Sequence, residues 1–198
     1  MEELILARHG ESTYSARGLV NGDPAVAVGL TRCGKEQARG LGRALAGEPL
    51  DLCVVTAFPR TRLTAELALA GHDVPIDEAP ELGDPRAGRF EGLPLDDYRA
   101  WAWVSGSDEE ASGGGESRLA IVRRYVGAYG SLLERRERTI LAVVHALPIA
   151  YLLQALDGLA PAPSVAIRVE HARPYRLGAE ELRRALSVLD AWLEAPTW

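Results

Sequence analysis

Leu4-Ile5-Leu6-Ala7-Arg8-His9-Gly10-Glu11 is the stretch whose reading decides the fold. Four apolar residues in a row predict a buried strand. Gly10 ends the strand and lets the backbone turn. Arg8 and His9 are thereby delivered side by side at the C-terminal edge of a sheet, which is where open α/β sheets bind their ligands. A histidine nucleophile needs a neighbouring cation when its electrophile is anionic, so the pair points to phosphoryl chemistry.

Two further segments repeat the pattern of strand, basic residue at the tip, helix. Leu52-Cys53-Val54-Val55 is a second apolar run. After it Pro59 stands where a helix would begin, followed by good helix formers. Arg60 then falls in the first helical turn, at the positive end of the helix dipole. Ile140-Leu141-Ala142-Val143-Val144-His145 is the third run, and a helix is expected directly after it.

Working outward, strands are expected at residues 4–8, 52–56, 74–76, 139–145, 165–169 and 175–177. The strand at 74–76 is short and belongs at an edge because Pro75 cannot donate to a ladder. Helices are expected at 34–46, 59–70, 95–104, through Ile121, Tyr125, Tyr129 and Leu132 at helical spacing, at 147–156, and through Leu182, Leu186, Leu189 and Leu193. Alternation of this kind predicts an α/β fold: three layers, α/β/α, with a largely parallel sheet and helices on both faces. With 198 residues, one domain over residues 1–198 is the expectation, with residues 79–115 folding over the crevice as a cap.

Apolar residues make up 47% and charged residues 25%, which fits a globular protein and excludes a disordered or membrane-spanning chain. Met1-Glu2-Glu3 leads straight into a strand, unlike a signal peptide. Cys33 and Cys53 have no metal-ligand spacing and form no disulfide framework, so a reducing, cytoplasmic setting is expected. The net charge of −6 offers no general field for nucleic acid, and no nucleic-acid or membrane partner is expected. Attraction for phosphate must then be local, from Arg8 and Arg60. The pairs Arg123-Arg124 and Arg183-Arg184 and the run at 135–138 read as solvated helix faces. The leucine face of the last helix, with Trp192, is available to a second copy of the chain, which admits a homodimer. No Walker loop or dinucleotide glycine motif occurs, so no nucleotide cofactor is expected.

The ordered set Arg8-His9-Gly10-Glu11-Ser12, Arg60-Thr61-Arg62-Leu63-Thr64-Ala65, Gly88-Arg89-Phe90-Glu91-Gly92, Gly115-Glu116-Ser117 and His145 resembles the histidine phosphatase superfamily, also called phosphoglycerate mutase-like. The resemblance implies that His9 is the nucleophile, that Arg8 and Arg60 clamp the phosphoryl group, and that His145 contacts it. It implies no metal. A guanidinium suits these roles because it donates two parallel bonds to phosphate oxygens. The family's glutamate proton donor lies four residues before the Gly88 motif, which puts Asp84 in that position; Glu81 is the alternative. For Asp84 to carry a proton near neutral pH its pKa must rise, through burial or a carboxylate such as Glu81. Ser15 stands where the family often has Asn, and Asn21 precedes Gly22 where Gln-Gly is common; both are expected near the phosphate. Ala146 replaces a usual Gly. His72 and His171 lie in no motif and read as surface or structural residues, and Arg62 as structural. Tyr98, Trp101 and Trp103 either line the leaving-group pocket or form core.

The implied activity is metal-independent phosphomonoester hydrolysis through a phosphohistidine, on a small metabolite or a phosphoprotein. Two alternatives stand beside it. One is a cofactor-dependent phosphoglycerate mutase, disfavoured by the short chain and by the acidic residues Asp96, Asp97, Asp108, Glu109 and Glu110, unless Arg86, Arg89, Arg99 and Arg118 turn inward. The other is a non-catalytic phosphate-binding protein.

Overall fold

Leu4, Ile5, Leu6 and Ala7 are all fully buried, so the first strand, β1 (Glu3–Arg8), is covered on both faces. The computed structural model describes every residue except Ser164 and Ala166. Among the described residues, β2 (Leu52–Val55), β3 (Ile76–Glu78), β4 (Thr139–Val144) and β5 (Pro174–Gly178) complete one sheet in the order β3-β2-β4-β1-β5. β3, β2, β4 and β1 are mutually parallel, and β5 closes the far edge antiparallel to β1. Six α-helices accompany it among the described residues: α1 (Arg32–Ala44), α2 (Pro59–Ala68), α3 (Leu95–Val104), α4 (Arg118–Leu133), α5 (Ala146–Leu156) and α6 (Ala179–Glu194).

Strand side chains alternate between two cores, as a period of two requires. Ile5, Ala7, Cys53, Val55, Leu141 and Val143 meet α1 and α2 through Leu41, Leu45, Ala65 and Ala68. Leu4, Leu6, Val54, Ile140, Ala142 and Val144 meet α4, α5 and α6 through Ile121, Tyr125, Ile149, Leu152, Leu186 and Leu189. The α/β/α layering and the parallel sheet are therefore as expected. A small third cluster joins Phe90, Tyr98 and Trp101 around Val20, outside the sheet.

Three expectations are corrected. No strand forms at Val165, Ile167, Arg168 or Val169, and Ala166 of that segment lies outside the described residues. The edge of β1 that it would need already pairs with β5 from Glu3 to Ala7, leaving only a bridge between Arg8 and His171. The edge strand expected at 74–76 forms at Ile76–Glu78 instead. Pro75 has no N–H, and contributes only its carbonyl, to Cys53. The leucine face of α6 is not free for a partner: Leu182, Leu186, Leu189 and Trp192 are buried against α4 and α5 in the chain's own core.

Parallel pairing brings the C-terminal ends of β1, β2 and β4 to one edge, with Arg8 opposite Val144 and Val55 opposite Val143. The loop after β1 is pressed backbone to backbone on the start of α1. A Cβ on Gly10 would stand 2.3 Å from the Gly34 carbonyl oxygen, and one on Gly34 would stand 2.0 Å from that of Glu11. Thr31 caps α1 by accepting from the Gly34 N–H at 3.0 Å, while its hydroxyl donates to Glu11 at 2.7 Å. The tip that carries His9 is held on both sides.

Candidate active site

His9 is buried, and its N–H donates to the Val144 carbonyl across the sheet edge. Its Nδ1 lies 2.7 Å from the Gly10 carbonyl oxygen. A carbonyl only accepts, so Nδ1 carries the proton and Nε2 keeps its lone pair. Burial lowers the His9 pKa well below the usual histidine value, and the charge of Arg60 pushes the same way. The imidazole is therefore neutral at pH 7, which is the form a nucleophile needs.

Arg60 lies in the first turn of α2 behind Pro59 and is almost fully buried. Its Nε donates to His9 Nε2 at 3.1 Å and its Nη2 to Asp84 Oδ2 at 2.7 Å. Nη1 donates to the Asn21 side-chain oxygen, and Nη2 also reaches the Asn21 carbonyl at 3.1 Å. The guanidinium carbon stacks 4.2 Å from the Phe58 ring centre.

His145 is completely buried just before α5. Its Nδ1 stands 3.0 Å from Asp84 Oδ2 and its Nε2 2.9 Å from the Thr56 hydroxyl. A neutral ring satisfies both contacts when Nδ1–H donates to Asp84 and Nε2 accepts from Thr56. Burial, aided by Arg60, pushes the His145 pKa down to about 4 against the opposing pull of Asp84. The rings of His9 and His145 sit 5.3 Å apart.

Asp84 thus bridges Arg60 and His145, and it corrects one expectation. Burial raises its pKa, but His145 and Arg60 outweigh that and hold the carboxyl well below the usual carboxylate range. Glu81 does not supply a like charge: its residue is exposed and only its carbonyl is engaged, by Arg124. Glu81 is therefore not the residue the fold brings to His9. The backbone around Asp84 is tied to α4. The Gly83 carbonyl accepts from Tyr125 and Arg124, and the Arg86 N–H donates to Glu116, which is itself paired with Arg124 at 3.0 Å. Arg124 is consequently a structural tie and not part of a solvated face.

Arg8 is half-buried, its Nη1 donating to the Val169 carbonyl at 3.1 Å. Its Nε has no partner, and no carboxylate pairs with it among the described residues. Asn21 is brought to the site, but its side chain is fully engaged. Its oxygen accepts from Arg60, and its NH₂ donates to Glu91 and to the Asp23 carbonyl. It is held against Arg60 by both its side-chain oxygen and its carbonyl. Ser15 lines the cavity, yet its hydroxyl is held in a turn with the Ser12 N–H at 2.8 Å and the Ser12 carbonyl at 3.0 Å. In both residues the side-chain polar atoms are engaged within the chain itself. His9, Asp84 and His145 place three potential metal donors within 4.8 Å of one another. The Arg60 guanidinium donates to His9 and Asp84 and stands 3.2 Å from His145 Nδ1, so a positive charge already stands among them.

Arg8, His9, Asn21, Arg60 and Asp84 line the floor of a cavity of about 460 Å³, and the fully buried His145 lies outside its lining. Leu19, Val20, Tyr98 and Leu147 give it apolar walls, Arg99 and Arg118 also line it, and Trp103 stands exposed beside it. Trp101 instead stacks 5.6 Å from Phe90 and from Tyr98 in the third cluster. Asp96, Asp97, Asp108, Glu109 and Glu110 do not line it.

Sequence reasoning missed several supports. The His171 Nδ1 donates to the His9 carbonyl at 2.8 Å, fastening the backbone of His9. Thr64 accepts from the Gly10 N–H at 3.0 Å. Glu91 holds the Asn21-Gly22 turn. Thr64, Glu91 and Glu116 lie inside quoted motifs, and that membership was the available signal; His171 carried none.

A profile of the histidine phosphatase superfamily, branch 1, matches residues 4–190. The chain belongs to that superfamily. It is 31% identical to a 2,3-bisphosphoglycerate-dependent phosphoglycerate mutase of Methylobacterium radiotolerans, over 97% of each chain. The solved alpha-ribazole phosphatase of Shigella flexneri is 28% identical, with a TM-score of 0.75 over 88% of this chain and 89% of that one. A mycobacterial glucosyl-3-phosphoglycerate phosphatase shares the fold, with a TM-score of 0.72 at 23% identity, covering 89% and 91%. Phosphoryl-transfer enzymes of both kinds, mutase and phosphatase, are thus among this superfamily member's relatives. The mutase matches the chain nearly end to end, so the expectation that a short chain argues against a mutase is overturned.

Proposed function

We propose that the protein is a metal-independent phosphomonoesterase working through a phosphohistidine at His9. The observation that carries this reading is the neutral His9 ring, with its proton held on Nδ1 by the Gly10 carbonyl and its Nε2 against Arg60. A phosphate monoester entering the cavity competes with Asp84 for Arg60 and His145. His9 Nε2 attacks phosphorus, and the N–P bond forms as the P–O bond to the alcohol breaks. Arg8 and Arg60 stabilise the charge on the phosphoryl oxygens.

The departing alkoxide needs a proton, and Asp84 is the donor in this reading. In the empty site its ion pair with Arg60 and the hydrogen bond from His145 keep it ionised. Once the phosphate takes those partners, the adjacent negative charge raises the carboxyl's affinity for a proton. In the second step Asp84 takes a proton from water, whose oxygen displaces His9 and releases phosphate. The unpaired thiols of Cys33 and Cys53 fit the reducing cytoplasm that this reading assumes, and no helix among the described residues is long and apolar enough to cross a membrane.

A mutase is the second reading. The Methylobacterium radiotolerans relative favours it, and so does a cavity lined by four arginines and one acid. The acidic residues of segment 96–110 face elsewhere and do not oppose it. The non-catalytic alternative is weakened by the retention of His9, His145, Arg8 and Arg60 together.

The test is hydrolysis of nitrophenyl phosphate with a chelator present, followed by a rapid acid-free quench and intact mass. One phosphate on the wild type and none on His9→Ala is expected. Activity lost to chelator and restored by a divalent ion removes the metal-independent mechanism. Efficient interconversion of 2- and 3-phosphoglycerate, outpacing phosphate release, selects the mutase.

A further inference from the structure

His171 and Ala172 stand shortly before β5 and hold the two residues at the tip of β1. The Ala172 N–H donates to the Arg8 carbonyl at 2.8 Å, and the His171 Nδ1 lies 2.8 Å from the His9 carbonyl oxygen. A carbonyl only accepts, so the His171 Nδ1 carries a proton. In the other direction, Arg8 Nη1 donates to the Val169 carbonyl. Three bonds thus tie one short segment to Arg8 and His9, although His171 and His9 are 162 positions apart in sequence. Ala172 has a φ of +52°, the only positive value at a non-glycine residue among the described residues. A Cβ disfavours that conformation, which persists only where the surroundings impose it. Here it coincides with the bonds to Arg8 and His9.

The His9 carbonyl and the Gly10 N–H belong to one peptide plane. His171 grips its oxygen, and Thr64 on α2 accepts from its N–H at 3.0 Å. The Thr64 hydroxyl gives its own proton to the Arg60 carbonyl at 2.7 Å, which leaves its oxygen free to accept. The next plane carries the Gly10 carbonyl, which takes the His9 Nδ1 proton at 2.7 Å. It also carries the Glu11 N–H, which donates to Gln37 on α1 at 2.8 Å. Gly10 joins the two planes, and glycine opposes rotation less than any other residue. The direction of its carbonyl therefore depends on the side chains that grip both planes. That carbonyl decides which ring nitrogen of His9 is bare. His171 does not line the cavity, although its ring centre is 5.6 Å from that of His9. Its influence on the site passes through the His9 backbone.

We propose that His171 is a positioning residue: by gripping the His9–Gly10 peptide it keeps the Gly10 carbonyl on Nδ1 and the lone pair of His9 on Nε2. This rests on the reading of His9 as the nucleophile. No proton or phosphoryl group passes through His171 itself.

Nitrogen-15 spectra of ring-labelled protein report the His9 tautomer before any substrate is added. The chain has four histidines, and the His9 signals are those lost in His9→Ala. The wild type should show a protonated Nδ1 and a bare Nε2. His171→Phe keeps a ring and removes the donor. The Nε2–H tautomer of His9 should then rise to a comparable population. The kcat for nitrophenyl phosphate should fall about 10-fold, the worth of one hydrogen bond, with KM changed no more than about twofold. His171→Asn puts an N–H where Nδ1 stood and should restore both readouts. His171→Gln puts it where Nε2 stood and should not, so this pair decides the matter even where the Phe variant fails to fold. An unchanged His9 tautomer in His171→Phe, or identical tautomer and kcat in the Asn and Gln variants, overturns the proposal. The phosphohistidine assay is read separately. A tautomer that depends on His171 without phosphorylation of His9 retains the positioning role and rejects the catalytic reading; phosphorylation with a tautomer indifferent to His171 does the reverse.

Discussion

The two ends of the cavity are built differently. At the floor, the polar groups of His9, Arg60, His145, Asp84 and Asn21 already bond to one another in the empty site. At the far wall, Arg118 and Tyr98 keep donors that no described residue satisfies. A preassembled cluster needs little reorganisation when charge develops in a transition state. The floor is paired before any ligand arrives, and the wall is not.

Substitutions at the floor should have the largest effects. Arg60→Met removes the group that touches His9, Asp84, His145 and Asn21 at once, and kcat/KM for nitrophenyl phosphate should fall about 10³- to 10⁵-fold. A loss below tenfold would mean that the floor is not organised around this cation. Asp84→Asn should slow alkyl phosphates about 10²- to 10⁴-fold, and nitrophenyl phosphate much less, because nitrophenolate leaves without a proton. Equal losses on both substrates would remove Asp84 from the proton-donor role.

The buried floor also sets a pH dependence of stability. His145 is held at about 4 against an ordinary 6.5, and His9 is depressed too. Below pH 6.5 the unfolded chain binds protons that the folded chain refuses, so stability falls as pH drops. The loss is about 1.4 kcal/mol per pH unit for each histidine down to its folded pKa. Asp84 has the same sign in a more acidic window: its depressed pKa contributes stability that is fully present above the ordinary carboxylate range and is lost as pH falls below it. Denaturant melts between pH 7 and pH 5 should show the decline, and His145→Gln should make it shallower. A flat profile would show that the floor admits protons when folded.

The smallest effect belongs to the rim of the wall. Trp103 is 63% exposed, so Trp103→Ala should alter stability by no more than about 0.5 kcal/mol. Its effect on nitrophenyl phosphate turnover should stay within a few-fold. A large loss there would extend the wall outward past Tyr98.

Three apolar runs ending in basic residues were enough to place the sheet edge, because strand tips, turns and helix starts are local properties of the chain. The parallel order followed from the alternation, and His9, Arg8, Arg60 and His145 were legible from their positions at those tips. The state of Asp84 was not. Counting back from the Gly88 motif reached its position, but whether it carries a proton depends on Arg60 and His145, which are 24 and 61 residues distant in sequence. The strand expected near 165–169 failed for a similar reason, since β5 had already taken the edge.

By itself the sequence determined the strand-tip constellation, the family and the layered α/β fold, since each rests on residue order and periodicity over short windows. The tertiary structure alone decided which donors meet which acceptors. Asn21 and Ser15 were drawn into holding the loop, His171 was brought to the backbone of His9, Trp192 was turned inward, and Arg118 was buried without an acid. Hydrogen-bond pairing and burial depend on separations in space, and no local pattern of residues encodes them.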